Sequence, residues 1–149
     1  MGEIRFYHTL EGKLQLAVPS LLQKIYGTEQ RCLLICNDAA QVKEMDDYLW
    51  EYTPESFLPH GVEGEGNEER QPILLSTEAG DKAFPVAMVF DADKVAALKG
   101  CDLICYMFDA GDKQNLGKAR QLWKVLKDSG ETLAYWQQQE NGSWNKKDV

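Results

Sequence analysis

The chain has 149 residues, a net charge of −8, and 44 % hydrophobic and 27 % charged residues, the proportions of a globular protein with one domain and one core. No run of about 18 apolar residues is available to span a membrane, and MGEIRFYHTLEGK offers no basic region followed by an apolar one, so the expectation is a cytoplasmic protein without a signal peptide. The acidic balance opposes non-specific nucleic-acid binding, which runs on phosphate neutralisation, so any anionic partner needs a local basic patch.

Glu3–His8 reads as a first strand. Apolar residues at 14, 18, 21, 22 and 25 follow with a helical period over Leu14–Tyr26. Pro19 belongs in a first turn, so this helix either begins near Val18 or kinks there, with Gly27 as its C′ stop. Arg31–Cys36 is a short apolar run, the second strand. Asn37-Asp38 is a ready N-cap for a helix from Ala39 to about Glu51, with Val42, Met45 and Leu49 facing a core.

The segment from Leu49 to Gly66, LWEYTPESFLPHGVEGEG, breaks this regularity. Pro54 and Pro59 disfavour helix at the residues before them, so a helix ends near Tyr52 and an aromatic, proline-stiffened turn follows. Its large side chains either fill a small satellite core or form a docking surface that the prolines pre-order. Gly61–Arg70 reads as a polar glycine loop. Strands are then expected at Pro72–Ser76, Pro85–Phe90 and Asp102–Phe108, with a short helix at Ala92–Leu98 closed by Gly100. A long helix spans Asp112–Ser129 and stops at Gly130, a final strand spans Thr132–Gln139, and the tail NGSWNKKDV reads as frayed beyond Trp144. Strands alternating with helices give the fold class: a single-domain (1–149), Rossmann-like three-layer α/β fold whose mostly parallel sheet is flanked by helices.

The chemistry-bearing motifs of an enzyme are missing. Gly61, Gly64 and Gly66 follow G-x-x-G-x-G and sit among Glu63, Glu65, Glu68 and Glu69, which would repel a phosphate. Cys32–Cys36 and Cys101–Cys105 share a C-x₃-C spacing, but in a strand residues four apart lie about 13 Å from one another, too far for ligands that each sit about 2.3 Å from one zinc. They read as reduced, metal-free core thiols. His8 reads as a hydrogen-bonded structural residue, and no nucleophile motif surrounds Ser56 or Ser76. No cofactor and no metal are expected.

The last helix carries the informative pattern. Lys113, Arg120, Lys124 and Lys127 are separated by 7, 4 and 3 residues, which at about 100° per residue places them within an arc of roughly 60°. Ala119, Leu122 and Leu126 face the opposite way, and Trp123 lies at the seam. With Lys118, this stripe is either a solvated basic face or a groove for an acidic peptide with an apolar anchor, floored by Trp123.

Leu49-Trp50, Pro54-Glu55-Ser56-Phe57-Leu58-Pro59-His60 and Gly64-Glu65-Gly66 before an isoleucine strand resemble the signature of the chi subunit of bacterial DNA polymerase III. Ile4-Arg5-Phe6-Tyr7, the Cys32–Cys36 strand and the basic helix from Lys113 fit the same family, so the likeness covers nearly the whole chain. The resemblance implies a non-catalytic adaptor whose final helix binds the acidic, phenylalanine-ended C-terminal tail of single-stranded-DNA-binding protein, meeting DNA only through partners. Arg120 matches the family's key arginine, Trp123 stands where a tyrosine is found, and Lys124 matches the following lysine. A further family lysine falls at Leu116, leaving Lys113 or Lys118 to substitute. The family's other surface, bound by the psi subunit or another clamp-loader or helicase-like protein, maps onto Trp50, Phe57 and Pro59, with Tyr52 as an addition; psi does not accompany chi in all bacteria. The rival readings are a nucleotide-binding α/β enzyme and a direct binder of single-stranded nucleic acid.

Overall fold

A computed structural model describes residues 2–51, 58–66, 68–80, 84–98 and 100–147. The expected Tyr52 and Phe57 of the aromatic turn lie outside these residues. Strand β1 (Glu3–Thr9) leads into helix α1 (Leu14–Gly27), strand β2 (Cys32–Ile35) and helix α2 (Ala39–Glu51). Two-residue β3 (Gly61–Val62), β4 (Ile73–Ser76), β5 (Val86–Val89) and β6 (Leu103–Asp109) follow, then helix α3 (Lys113–Asp128), β7 (Thr132–Gln138) and β8 (Trp144–Lys147). Among the described residues these strands form one eight-stranded sheet in the order β3-β4-β2-β5-β6-β1-β7-β8. Every pairing is parallel except β7–β8.

The three-layer expectation holds because alternate strand residues feed two cores. Tyr7, Leu34, Met88 and Met107 face α1 and α2, with Val18, Leu22, Val42, Met45 and Leu49 packed against them. Phe6, Leu33, Val89, Tyr106 and Phe108 face the other way, under Ala119 of α3 and under Ala92, Val95 and Leu98. A parallel sheet covered on both faces needs such continuous apolar runs.

Several boundaries differ from the sequence reading. α1 begins at Leu14, not near Val18, and Pro19 lies inside it. The missing proline N–H leaves only the carbonyl of Gln15 without a helical donor, and Gln15 is exposed to water. Gly27 is the last helical residue rather than the stop; Glu29 takes the left-handed conformation instead, at φ 63°, and its N–H donates to the Tyr26 carbonyl at 3.0 Å. Ala92–Leu98 is a 3₁₀ helix. The glycine loop holds β3 and a 3₁₀ turn at Glu68–Arg70.

The tail is the larger correction. Residues expected to fray form β8, antiparallel to β7, with Tyr135 opposite Lys147 and Gln138 opposite Trp144. The turn is closed by Gln139 N–H to the Ser143 carbonyl at 2.8 Å and by Gly142 N–H to the Gln139 carbonyl at 2.9 Å, with Gly142 at φ 86°. Trp144 packs edge-on against Tyr7, ring centroids 5.1 Å apart, and this apolar contact holds the strand down.

Candidate functional site

Helix α3 starts where the Asp112 carboxylate accepts from the Asn115 N–H at 3.0 Å. Ala119 is its one buried residue, small enough for the helix to lie close on the sheet, and Leu116, Leu122, Trp123 and Leu126 pack around it. The Trp123 ring stands edge-on to Phe6 at 5.1 Å and to Tyr135 at 5.7 Å. Its seam position on the helix thus becomes one wall of a trough.

The trough has a volume of about 550 Å³. Leu116, Ala119, Arg120 and Trp123 of α3 form one side; His8 of β1 and Tyr135 and Gln137 of β7 form the floor; Lys147 of β8 closes the far side. His8 Nδ1 and the Tyr135 hydroxyl are hydrogen-bonded at 2.8 Å, and the imidazole stacks on Phe108 at 5.1 Å. Burial, then the positive charge of Arg120, lower the pKa of His8, partly offset by Asp109. Burial raises the Tyr135 phenol, with Arg120 pulling the other way. The Arg120 guanidinium is therefore felt across the floor. Arg120 and Lys147 are cations and, among the described residues, no carboxylate lines the walls, so the cavity favours an anion with an aromatic or aliphatic body.

Of the six α3 residues singled out by sequence, the cavity takes in Arg120 and Trp123. Lys113, Lys124 and Lys127 are exposed along the same helix and do not line it. Lys118 points elsewhere, its Nζ 3.3 Å from Asp93 Oδ2. Sequence reasoning missed Leu116, Gln137, Tyr135 and Lys147 as lining residues, whereas His8 is hydrogen-bonded as expected, to Tyr135. The Asn141-Gly142 pair before WNKK was a hairpin signal for β8; period-2 alternation places Tyr135 and Gln137 on one face.

Two of the four residues predicted for the second surface, Trp50 and Pro59, lie among the described residues. Leu49, Leu58 and His60 are buried, whereas Trp50 is 55 % exposed and Pro59 is half-buried. His60 Nδ1 lies 2.7 Å from the Leu58 carbonyl and Nε2 lies 2.9 Å from Asp46 Oδ1, and the Trp50 ring centroid is 5.0 Å from that of His60. The turn's rear therefore belongs to the core while Trp50 faces outward.

Doubly wound sheets hold ligands beyond the carboxyl ends of their strands. Here part of that edge is bridged by the protein's own groups. The Asp109 carboxylate accepts from the Gly12 N–H at 2.9 Å and the Gly111 N–H at 2.7 Å. Lys94 Nζ donates to the carbonyls of Cys36 at 3.0 Å, Asn37 at 3.0 Å and Thr77 at 2.8 Å. The four cysteines are buried, and burial pushes the Cys36 and Cys105 thiols up to about 12. Among the described residues, no three His, Cys, Asp or Glu side chains cluster as metal ligands.

The fold alone resembles that of the C-terminal domain of a Dbp5 variant from S. cerevisiae, solved bound to Gle1 and IP6: the TM-score is 0.54 at 10 % identity, over 85 % of this chain and 88 % of that one. The curated relatives carry more. A probable DNA polymerase III subunit chi from Rickettsia prowazekii (strain Madrid E) is 27 % identical over 78 residues, 52 % of this chain and 47 % of that protein. The DNA polymerase III subunit chi of Haemophilus influenzae (strain ATCC 51907 / DSM 11121 / KW20 / Rd) is 33 % identical over 57 residues, 38 % of this chain and 40 % of that one. That of Escherichia coli (strain K12) is 39 % identical over 47 residues, 32 % of each chain. The matched stretches thus span less than half of each relative's length. The family model for DNA polymerase III chi subunit, HolC, matches residues 1–134, from the first strand into β7. With nine-tenths of its length so matched, the chain belongs to the DNA polymerase III chi subunit family.

Proposed function

We propose that this chi-family chain is a non-catalytic, cytoplasmic accessory subunit that couples the clamp-loader complex to single-stranded-DNA-binding protein, by holding that protein's acidic, phenylalanine-ended C-terminal tail in the trough beside α3. The observation that carries this reading is the cation-rimmed trough, floored by aromatic rings, in a chain of net charge −8. Trp123 and Tyr135 offer faces for an aromatic anchor. The Arg120 guanidinium is a planar fork suited to the two oxygens of a terminal carboxylate. Lys113, Lys124 and Lys127 lie outside the cavity and serve to steer acidic residues toward it. Trp50 and Pro59, with Tyr52 and Phe57 from the same turn, form the second docking surface, for psi or another clamp-loader or helicase-like protein. DNA is met through these partners.

The test is a titration of a labelled acidic peptide ending in phenylalanine at two salt concentrations. Arg120→Ala weakens binding by about 1.5–3 kcal/mol, the range for hydrogen bonds to charged groups. Lys113→Ala and Lys127→Ala change the on-rate and its salt dependence more than the off-rate. Parent-like binding by Arg120→Ala, with the lysines carrying the whole effect, would reduce the site to a diffuse electrostatic face.

A further inference from the structure

We propose that the terminal hairpin strand β8 is a working wall of this peptide site, and that Lys147 contacts an acidic side chain upstream of the peptide's terminal carboxylate. The inference rests on the reading of the trough as a peptide site, but draws on a part of the chain beyond residue 134, where the family match ends.

The antiparallel register fixes the geometry. Lys147 is paired with Tyr135, so its side chain leaves the same face of the sheet as the Tyr135 ring. Tyr135 in turn is tied to His8, which puts Lys147 along the floor from the imidazole. Trp144 and Lys146 leave the opposite face, where Trp144 packs on Tyr7. One strand thereby does two things: its Trp anchors the hairpin to the α1 side, and its Lys projects into the trough on the α3 side. Lys147 is half-buried and reaches the cavity from the side opposite α3, which carries Arg120.

Two cations on facing walls, separated by an aromatic floor, match a ligand with two separated negative groups. Arg120 takes the planar, bidentate one at the chain end. A lysine is a point charge on a flexible stem and suits a side-chain carboxylate whose position varies. A peptide bound by Arg120 alone would gain only from its terminus. One that also reaches β8 gains from its acidic residues, and a partner lacking them is discriminated against.

The experiment uses the full chain and two synthetic ten-residue peptides ending in phenylalanine, one with aspartates upstream and one with asparagines in their place. Lys147→Ala weakens the aspartate peptide about three- to fivefold, as expected for a partly screened ion pair, and Lys147→Glu weakens it further. Neither changes binding of the asparagine peptide, and both lower the salt dependence of the aspartate peptide. Arg120→Ala weakens both peptides. If Lys147→Ala and Lys147→Glu bind the aspartate peptide as the parent does while Arg120→Ala is impaired, the β8 inference is wrong and the trough reading stands. If Arg120→Ala also binds like the parent, the trough reading fails and the inference with it. Equal weakening of both peptides by Lys147→Ala likewise overturns the inference, because the lysine would then be acting on the terminus or the fold.

Discussion

The Tyr135 hydroxyl meets His8 Nδ1 at 2.8 Å, joining two residues 127 positions apart on neighbouring parallel strands. Arg120 lines the same trough, and its charge lowers the pKa of both rings. The floor of the trough is thus a polar pair beside Trp123: burial favours the neutral form of both rings, while Arg120 favours the neutral imidazole and opposes burial at the phenol.

A pH dependence follows from that pair. Burial and Arg120 lower the His8 pKa from its ordinary 6.5, so the unfolded chain binds the proton more readily than the folded one. Stability contributed here is complete above the unfolded value, falls as pH drops through it, and stops falling below the folded value. Urea denaturation between pH 7.5 and 5 should show the parent losing stability relative to His8→Gln as pH falls below about 6.5. A pH-independent gap between the two would remove His8 as the titrating group. An anionic peptide offsets the field of Arg120, so the parent should bind it more tightly at pH 6 than at pH 7.5, and His8→Gln should lose that gain.

Lys94 holds the carboxyl ends of β2 and β4 together through three carbonyls. Lys94→Met keeps the apolar stem and removes the donors. The expected cost is about 0.5–1.5 kcal/mol, the net worth of hydrogen bonds to carbonyls that are part-buried or exposed. A change below about 0.5 kcal/mol in chemical denaturation, the size of an ordinary surface substitution, would mean that water serves the carbonyls as well.

Glu29 occupies the left-handed region at φ 63° directly after α1. A side chain there costs roughly 1–2 kcal/mol, and a glycine gives back part of that gain through the freedom of the unfolded chain. Glu29→Gly should therefore raise stability by about 0.5–1 kcal/mol. A parallel Glu29→Ala variant should not, and equal effects of the two would point to the lost charge.

Trp50 is exposed beside the buried His60. Trp50→Ala should leave stability within about 1 kcal/mol of the parent, while weakening capture of a clamp-loader or helicase-like partner. A loss of about 3 kcal/mol or more, the scale of an aromatic removed from a core, would assign the ring to packing.

Local chemistry in the sequence settled the layers of this protein. Apolar runs such as Cys32–Ile35 and Val86–Val89 are buried on both faces, and only a helix-covered parallel sheet gives such runs shelter. The basic stripe and Trp123 were equally legible, because a helical period is a property of neighbours in the chain. Which members of the stripe enter a cavity was not. That depends on what faces α3 across the sheet, and His8, Tyr135 and Lys147 arrive there from three separate strands. The Glu29 turn shows the same limit at short range: glycine at 27 suggested a stop, but the helix kept one more residue and the left-handed position fell two later. For β8, the polar letters WNKK lack the apolar alternation of a strand. It forms because its Trp144 finds Tyr7 on the sheet's far face, a contact between residues 137 apart that no local pattern encodes.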